Sequence, residues 1–280
     1  MKFIDLFCGI GSFHYSFRKL GLECTMACDI NVTARDTYKL NYDMEPLGDI
    51  CDISPSDIPR YDLLCAGFPC QPFSQIGQQR GLDDERGTMF YQIMKFIDYH
   101  SPSFVLLENV PALVNHNGGS TFKMITQRIS ELGYKVGHKV LTCSDYGIPQ
   151  NRKRLFIVGV KNHINADPNE ILDLKKYAVH VTLSEYLGKP FERTVAYTLR
   201  CGGRSSPIND RHNWDGYWVN GEEYRLTLED GLRLQGFDPS FTLTGSTTQQ
   251  WRQIGNTIPT IFTELIGKNL IAAFSQITSS

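Results

Sequence analysis

From residue 2 to residue 160 the chain alternates short apolar runs with segments of helical period, and this alternation limits the fold more than any other feature. Strands are predicted at Lys2–Phe7, Cys24–Cys28, Tyr61–Ala66, Phe104–Leu107, Tyr134–Val140 and Leu155–Val160, with Asp49 ending a weak further strand. Helices are predicted between them. Phe13, Phe17 and Leu20 share one face, residues 31–41 follow, and Phe90, Ile93, Met94 and Ile97 place a helix over Thr88–His100. Phe122, Ile125, Ile129 and Leu132 mark another. Apolar strands of this length, each followed by a helix, imply an α/β fold: a mostly parallel sheet with helices on both faces. Ligands of such sheets bind beyond the carboxyl ends of the strands. Gly9 and Gly11, Asp29, Asp49, Pro69 and Cys70, and Glu108 stand at those ends.

The pattern changes after about residue 183. Residues 183–225 are rich in Gly, Arg, Asn and Trp and show no helical period. Between Arg193 and His212 four arginines, Arg193, Arg200, Arg204 and Arg211, stand against one acid, Asp210, and Trp214–Trp218 reads as local core. Thr227 with Asp230 fits a capping box. Ile258, Ile261, Phe262, Leu265 and Ile266 form a terminal amphipathic helix.

Composition removes several classes. The 280 residues carry 28 Lys+Arg and 30 Asp+Glu, a net charge of −2, which argues against a generic polyanion coat. Positive charge gathers at Arg152–Arg154 and Arg193–Arg211, whereas acids occupy the nucleoside half. No apolar run approaches the ~20 residues of a spanning helix, and the N-terminal stretch with Asp5 does not read as a signal peptide. The eight cysteines include no CxxC pair. Neither a metal site nor a disulfide framework is expected, and a cytoplasmic chain with reduced thiols is the simpler reading. Cys28, Cys51, Cys65 and Cys143 are expected to be small buried hydrophobes.

Two constellations carry chemistry. Phe7-Cys8-Gly9-Ile10-Gly11 follows a strand, and residue 14 is His where a full GxGxxG has Gly. Asp29 ends the next strand, where a carboxylate accepts from ribose hydroxyls, and Asp49 can accept from an adenine amine. No GxxxxGK[ST] loop is present, and a nicotinamide dinucleotide remains open at this point. The second constellation is Gly67-Phe-Pro-Cys-Gln-Pro-Phe-Ser74. Pro69 and Pro72 stiffen the loop, which presents Cys70 at the sheet edge as a candidate nucleophile. Glu108 ends an apolar strand, where desolvation raises a carboxyl's pKa and favours proton sharing. Arg152 and Arg154 alternate with Lys153 and share a face if extended, so they can hold a carboxylate and an acceptor oxygen together.

These residues resemble the C5-cytosine DNA methyltransferases of bacteria and phages, nearly end to end and in motif order. The match runs through Asp5–Gly11, Gly67–Ser74, Arg86–Thr88, Glu108–Val110, Tyr146–Arg154, Arg233–Phe237 and Gln253–Thr257; only the region of Gly48-Asp49-Ile50 is generic. The resemblance implies a Rossmann-like S-adenosylmethionine methyltransferase fold with a catalytic domain of residues 1–182 plus 254–280 and a target-recognition domain of 183–253. It implies S-adenosyl-L-methionine as cofactor, yielding S-adenosyl-L-homocysteine, with no metal. Phe7, Gly9, Ile10, Gly11, Asp29, Ile30, Asp49, Ile50, Pro69 and Asn256 would line its pocket, and the terminal helix would pack beside the first strand. Cys70 would add to cytosine C6. Glu108 would contact N3 and the exocyclic amine, and Arg152 and Arg154 would hold O2 and orient Glu108. The base must first leave the duplex, under a lid of residues 71–88 with Gly77, Gly81 and Gly87. Gln71, Ser74, Thr198, Arg200, Arg204, Arg211 and His212 are the candidate DNA contacts.

The implied substrate is duplex DNA with a short cytosine-bearing site, for a chain acting as a monomer in the cytoplasm at the nucleoid, with a cognate restriction endonuclease as a separate partner. Two alternatives stand beside it. A tRNA methyltransferase branch carries Pro-Pro-Cys-Gln and Cys-Phe-Thr, whereas this chain has Phe68-Pro-Cys-Gln and lacks Cys-Phe-Thr. A catalytically inactive DNA-binding relative would have lost chemical residues, yet Cys70, Glu108 and Arg154 are all present.

Overall fold

Strand residues of alternating parity enter two separate cores, which is why the strands read as unbroken apolar runs. In the computed structural model, which describes residues 1–69 and 89–278, Phe104 and Leu106 pack into one core and Val105 and Leu107 into the other. The chain runs β1 (Lys2–Leu6), α1 (Ser12–Lys19), β2 (Glu23–Cys28), α2 (Val32–Tyr42), β3 (Leu63–Gly67), α3 (Met89–His100), β4 (Phe104–Asn109), α4 (Ser120–Glu131), β5 (Tyr134–Thr142) and β6 (Lys153–Lys161). Then come α5 (Pro168–Ile171), α6 (Leu183–Leu187), β7 (Gly216–Val219), β8 (Glu222–Arg225), α7 (Leu228–Leu234), α8 (Thr247–Asn256) and α9 (Thr260–Thr278). Among the described residues the main sheet has the order β2-β1-β3-β4-β6-β5.

β2, β1, β3 and β4 are parallel neighbours, and β6 runs antiparallel to both β4 and β5. The strand order reverses between β1 and β3, which opens a crevice at their carboxyl ends. The reversed β6 matters for function, because it starts at the edge where β1 to β4 finish. One face of the sheet carries the apolar residues of α1, α2 and α9; the other carries those of α3 and α4. The mostly parallel doubly covered sheet is therefore as the alternation implies.

Local differences have physical causes. The weak strand before Asp49 is a single bridge between Cys28 and Leu47; Asp49 instead accepts from the Cys51 N–H and caps a 3₁₀ turn over Ile50–Asp52. A short helix, α6, lies where no helical period is visible, since a Thr182/Glu185 capping box supports its single turn. The Thr227/Asp230 box is present at α7. The terminal helix lies along α1: Ser16 donates to the Thr260 carbonyl at 3.0 Å, and Ser12 to that of Ile258 at 2.7 Å. Cys51 is exposed, unlike buried Cys28, Cys65 and Cys143, because its 3₁₀ turn sits outside the sheet. Core packing continues from the sheet into residues 183–253 through Leu183, Trp214 and Tyr217, and α8 spans the residue 253–254 division.

Asp5 is the polar exception in the core. It is 1% exposed in the middle of β1, and among the described residues neither carboxylate oxygen has a side-chain hydrogen-bond partner. Burial, then the charge of Asp29, pushes its pKa well above the carboxylate range. The folded chain thus holds a proton that the unfolded chain releases near pH ~4, so Asp5 lowers stability as pH rises above that value. Asp5→Asn is expected to gain steadily on the parent as pH rises above ~4 in urea denaturation. A constant difference across that range would contradict this.

Candidate active site

Glu108 and Arg154 meet because β6 begins where β4 ends. Asn109 pairs with Leu155 and Glu108 with Phe156, so residue 154 lies just past the last rung. Arg154 Nε stands 2.8 Å from Glu108 Oε1, and both side chains are nearly buried. Burial raises the Glu108 pKa, while Arg154 and then Arg152 pull it down; burial wins. The carboxyl can thus hold a proton more readily than a free glutamate does. Asn109, which the sequence reading passed over, donates from Nδ2 to the Phe68 carbonyl at 2.9 Å and accepts from the Val110 N–H through Oδ1. It thereby fixes the chain just ahead of exposed Pro69. Cys70, Gln71, Ser74 and the expected lid of residues 71–88 lie outside the described residues.

Arg152 does different work from that expected of it. Its side chain is fully buried, and its guanidinium donates to the carbonyls of Leu199, Gly255 and Thr257, each at 2.8 Å. Those bonds commit it to holding three backbone segments, not to a base oxygen. Burial, then Arg154, pulls its pKa down to about 9. Gly255 permits the same junction: a Cβ there would stand 2.5 Å from the Arg200 carbonyl carbon. Gln150 adds to it, donating to the Leu234 carbonyl and accepting from the Leu199 N–H.

The β1–β3 crevice fits a nucleoside cofactor. Asp29 accepts from the Gly9 N–H through Oδ2 and from the Asn31 N–H through Oδ1, both at 2.8 Å. Each oxygen keeps a lone pair for a sugar hydroxyl. Burial raises the Asp29 pKa against the two backbone bonds and Arg35. Ile30 beside it is 73% exposed, an apolar side chain with room for a flat ring. Above Gly9 the space is open, with nothing within 4 Å of where a Cβ would stand. Phe7 and Gly11 turn through positive φ, at 57° and 83°, and Ile10 and Ile50 are buried behind the crevice. Asn256 is exposed at the end of α8 and accepts from the Cys201 thiol. Among the described residues no cluster of three His, Cys, Asp or Glu could hold a metal ion.

The arginines of 183–253 divide. Arg200, Arg211 and His212 are exposed, and Arg211 Nε lies 3.0 Å from His212 Nε2. Arg204 is not free for DNA. It pairs with fully buried Asp215 at 3.3 Å and lies 4.5 Å over the Trp251 ring, because Asp215 needs a cation. Arg225, unremarked in the sequence, supplies a second one at 3.1 Å. Thr198 donates to the Asn151 carbonyl. Trp214 and Tyr217 are core, whereas Trp218 is partly exposed.

The family model for C-5 cytosine-specific DNA methylases matches residues 1–224 and 196–272. The chain belongs to that family. The type II methyltransferase M.DsaV of Dactylococcopsis salina is 35% identical to this methylase, over 97% of this chain and 86% of the relative. M.MspI of Moraxella sp. is 37% identical, over 92% and 67%, and M.HhaI of Haemophilus parahaemolyticus 30%, over 96% and 94%. Among solved structures the S. pombe Dnmt2 methyltransferase superposes with a TM-score of 0.75 at 20% identity, over 97% of this chain and 99% of that one. The Entamoeba histolytica methyltransferase EhMeth does so with a TM-score of 0.71 at 17% identity, over 99% and 98%. These likenesses show the fold alone. The methylase acts on cytosine in DNA and uses S-adenosylmethionine; the tRNA alternative is not favoured. No helix among the described residues is long and apolar enough to cross a membrane.

If Arg152 is a clamp, Arg152→Leu leaves three buried carbonyls without their donor and should lose ~3 kcal/mol or more in urea denaturation. Exposed Arg200→Ala should change stability by less than ~0.5 kcal/mol. Equal stability of Arg152→Leu and the parent would contradict the assignment.

Proposed function

We propose that this DNA cytosine-5 methyltransferase works through a Cys70 thiolate, with Glu108 and Arg154 as the groups that polarise the base. The observation that carries the reading is the Glu108–Arg154 pair at the sheet edge, beside the Phe68–Pro69 approach that Asn109 holds. Cytosine C5 is a poor nucleophile. Addition of the Cys70 thiolate to C6 makes C5 enamine-like, with charge developing toward N3. Glu108 can donate its proton to N3 as that charge grows, since burial favours its protonated form. Arg154 holds Glu108 in place and offers its remaining donors to O2. Asp29, the Phe7–Gly11 loop, Ile30 and Asp49 would hold S-adenosylmethionine, which when bound would supply the methyl group that C5 takes and leave as S-adenosylhomocysteine. Once C5 is methylated, Glu108 takes the N3 proton back, and loss of the C5 proton to a base or water re-forms the C5–C6 double bond as the C6–sulfur bond breaks and Cys70 leaves as thiolate.

Exposed Arg200, Arg211 and His212 are the described side chains we assign to DNA contacts in residues 183–253. A basic contact set this small fits salt-sensitive binding to a short site. The type II names of the relatives support a modification role beside a separate restriction endonuclease, and we read the chain as a monomer working in the cytoplasm.

A duplex carrying 5-fluorocytosine in the recognition site tests the mechanism, because fluorine cannot leave C5 as a proton. With cofactor present, the parent should form a denaturation-resistant protein–DNA adduct and Cys70→Ser none. Glu108→Gln should slow methyl transfer by ~10²–10⁴-fold. An adduct that persists in Cys70→Ser, or unchanged turnover in Glu108→Gln, would sink the assignment. Labelled methyl transfer to tRNA but not to duplex DNA would restore the alternative substrate.

A further inference from the structure

Tyr42 is the last residue of α2, and its side chain returns to the loop that carries Gly9 and Gly11. Its hydroxyl lies 2.8 Å from the Gly11 carbonyl oxygen and 3.1 Å from that of Ile10, and donates to the pair. The Gly11 carbonyl also accepts the Tyr15 N–H at 2.8 Å, the opening bond of α1. One oxygen therefore joins the loop, the helix that follows it and Tyr42.

The ring of Tyr42 is itself held. His14, the residue that departs from the glycine pattern, stacks on it at 4.3 Å between centroids and 12° between planes. The Arg18 guanidinium lies 5.0 Å from the ring centre. His14 Nδ1 is 2.7 Å from the Tyr38 hydroxyl, and the Tyr38 ring is 4.5 Å from that of Tyr42. Burial, then Arg18, pulls the His14 pKa down to about 4, so a neutral ring does the stacking at neutral pH. Gly11 is what allows the approach. With φ at 83°, a Cβ there would stand 2.5 Å from the Tyr42 ring and 2.8 Å from that of Tyr38.

Gly9 and Gly11 both sit at positive φ, and a loop with two such glycines is entropically costly to order. Asp29 ties one end of the loop through the Gly9 N–H. We propose that Tyr42, backed by His14 and Tyr38, ties the other end and is a positioning residue for cofactor binding: it fixes the Ile10 and Gly11 peptides in the conformation the cofactor meets. The proposal rests on the cofactor reading above. A binding site ordered beforehand loses less on association, so removing the tie should weaken affinity directly.

Calorimetric titration of the full chain with S-adenosylhomocysteine tests this without turnover. The parent should bind. Tyr42→Phe keeps the ring and loses only the hydroxyl, and should bind about fivefold more weakly, with KM for DNA unchanged. His14→Leu removes the stack and the Tyr38 bond, and should weaken binding in the same direction. Parent-like affinity in both variants, whatever happens to their melting temperatures, would overturn the proposal and leave these residues a packing role. Failure of the parent to bind would overturn the cofactor reading, and this inference with it.

Discussion

Arg152 joins the two parts of the chain on which the chemistry depends. Its guanidinium is fully buried and reaches Leu199 and, more than fifty residues on, Gly255 and Thr257. Removing a guanidinium from water is expensive, and only several good acceptors offset it. The junction therefore requires the start of β6, the 198–201 segment and the α8–α9 joint to sit together. Arg154, two residues on, is then delivered to Glu108. A single buried cation thus places the Glu108–Arg154 pair and ties the start of β6 to the entry to residues 183–253 and to the α8–α9 joint.

Burial also sets the electrostatics. Glu108, Asp29 and Asp5 all have raised pKa values with desolvation as the leading cause, though their surroundings differ. Glu108 has Arg154, Asp29 has two backbone N–H groups, and Asp5 has no hydrogen-bonding side chain. The first two retain acceptor capacity that a ligand can use. The near-neutral total charge hides this arrangement, in which Asp29 and Glu108 stand at strand ends while Arg200 and Arg211 lie exposed beyond residue 199.

Much of this was legible in the sequence. Apolar runs bounded by Gly9, Asp29, Pro69 and Glu108 gave both the parallel strands and the edge where the site lies, since the rule linking strand ends to ligands depends only on chain direction. The direction of β6 was not legible: an apolar run reads the same in either orientation, yet that orientation brings Arg154 to Glu108. Arg152 was misread because alternation in an extended segment gives a shared face but not what lies behind it. Arg204 was read as a DNA contact because nothing in the sequence pairs it with Asp215, which the fold buries fully beside it. Tyr42 left no signal beyond its type, and the Glu108–Val110 motif includes Asn109 without its role, as both roles depend on backbone carbonyls brought near by the fold.

The account rests on methyl transfer to C5 of cytosine in DNA. Nucleoside mass spectrometry of duplex DNA incubated with the chain and S-adenosylmethionine tests that claim directly, because it separates the possible methylated bases. The expected product is 5-methylcytosine alone, at one sequence context and absent with Cys70→Ser. N4-methylcytosine or N6-methyladenine as the product, or 5-methylcytosine formed equally by Cys70→Ser, would contradict it.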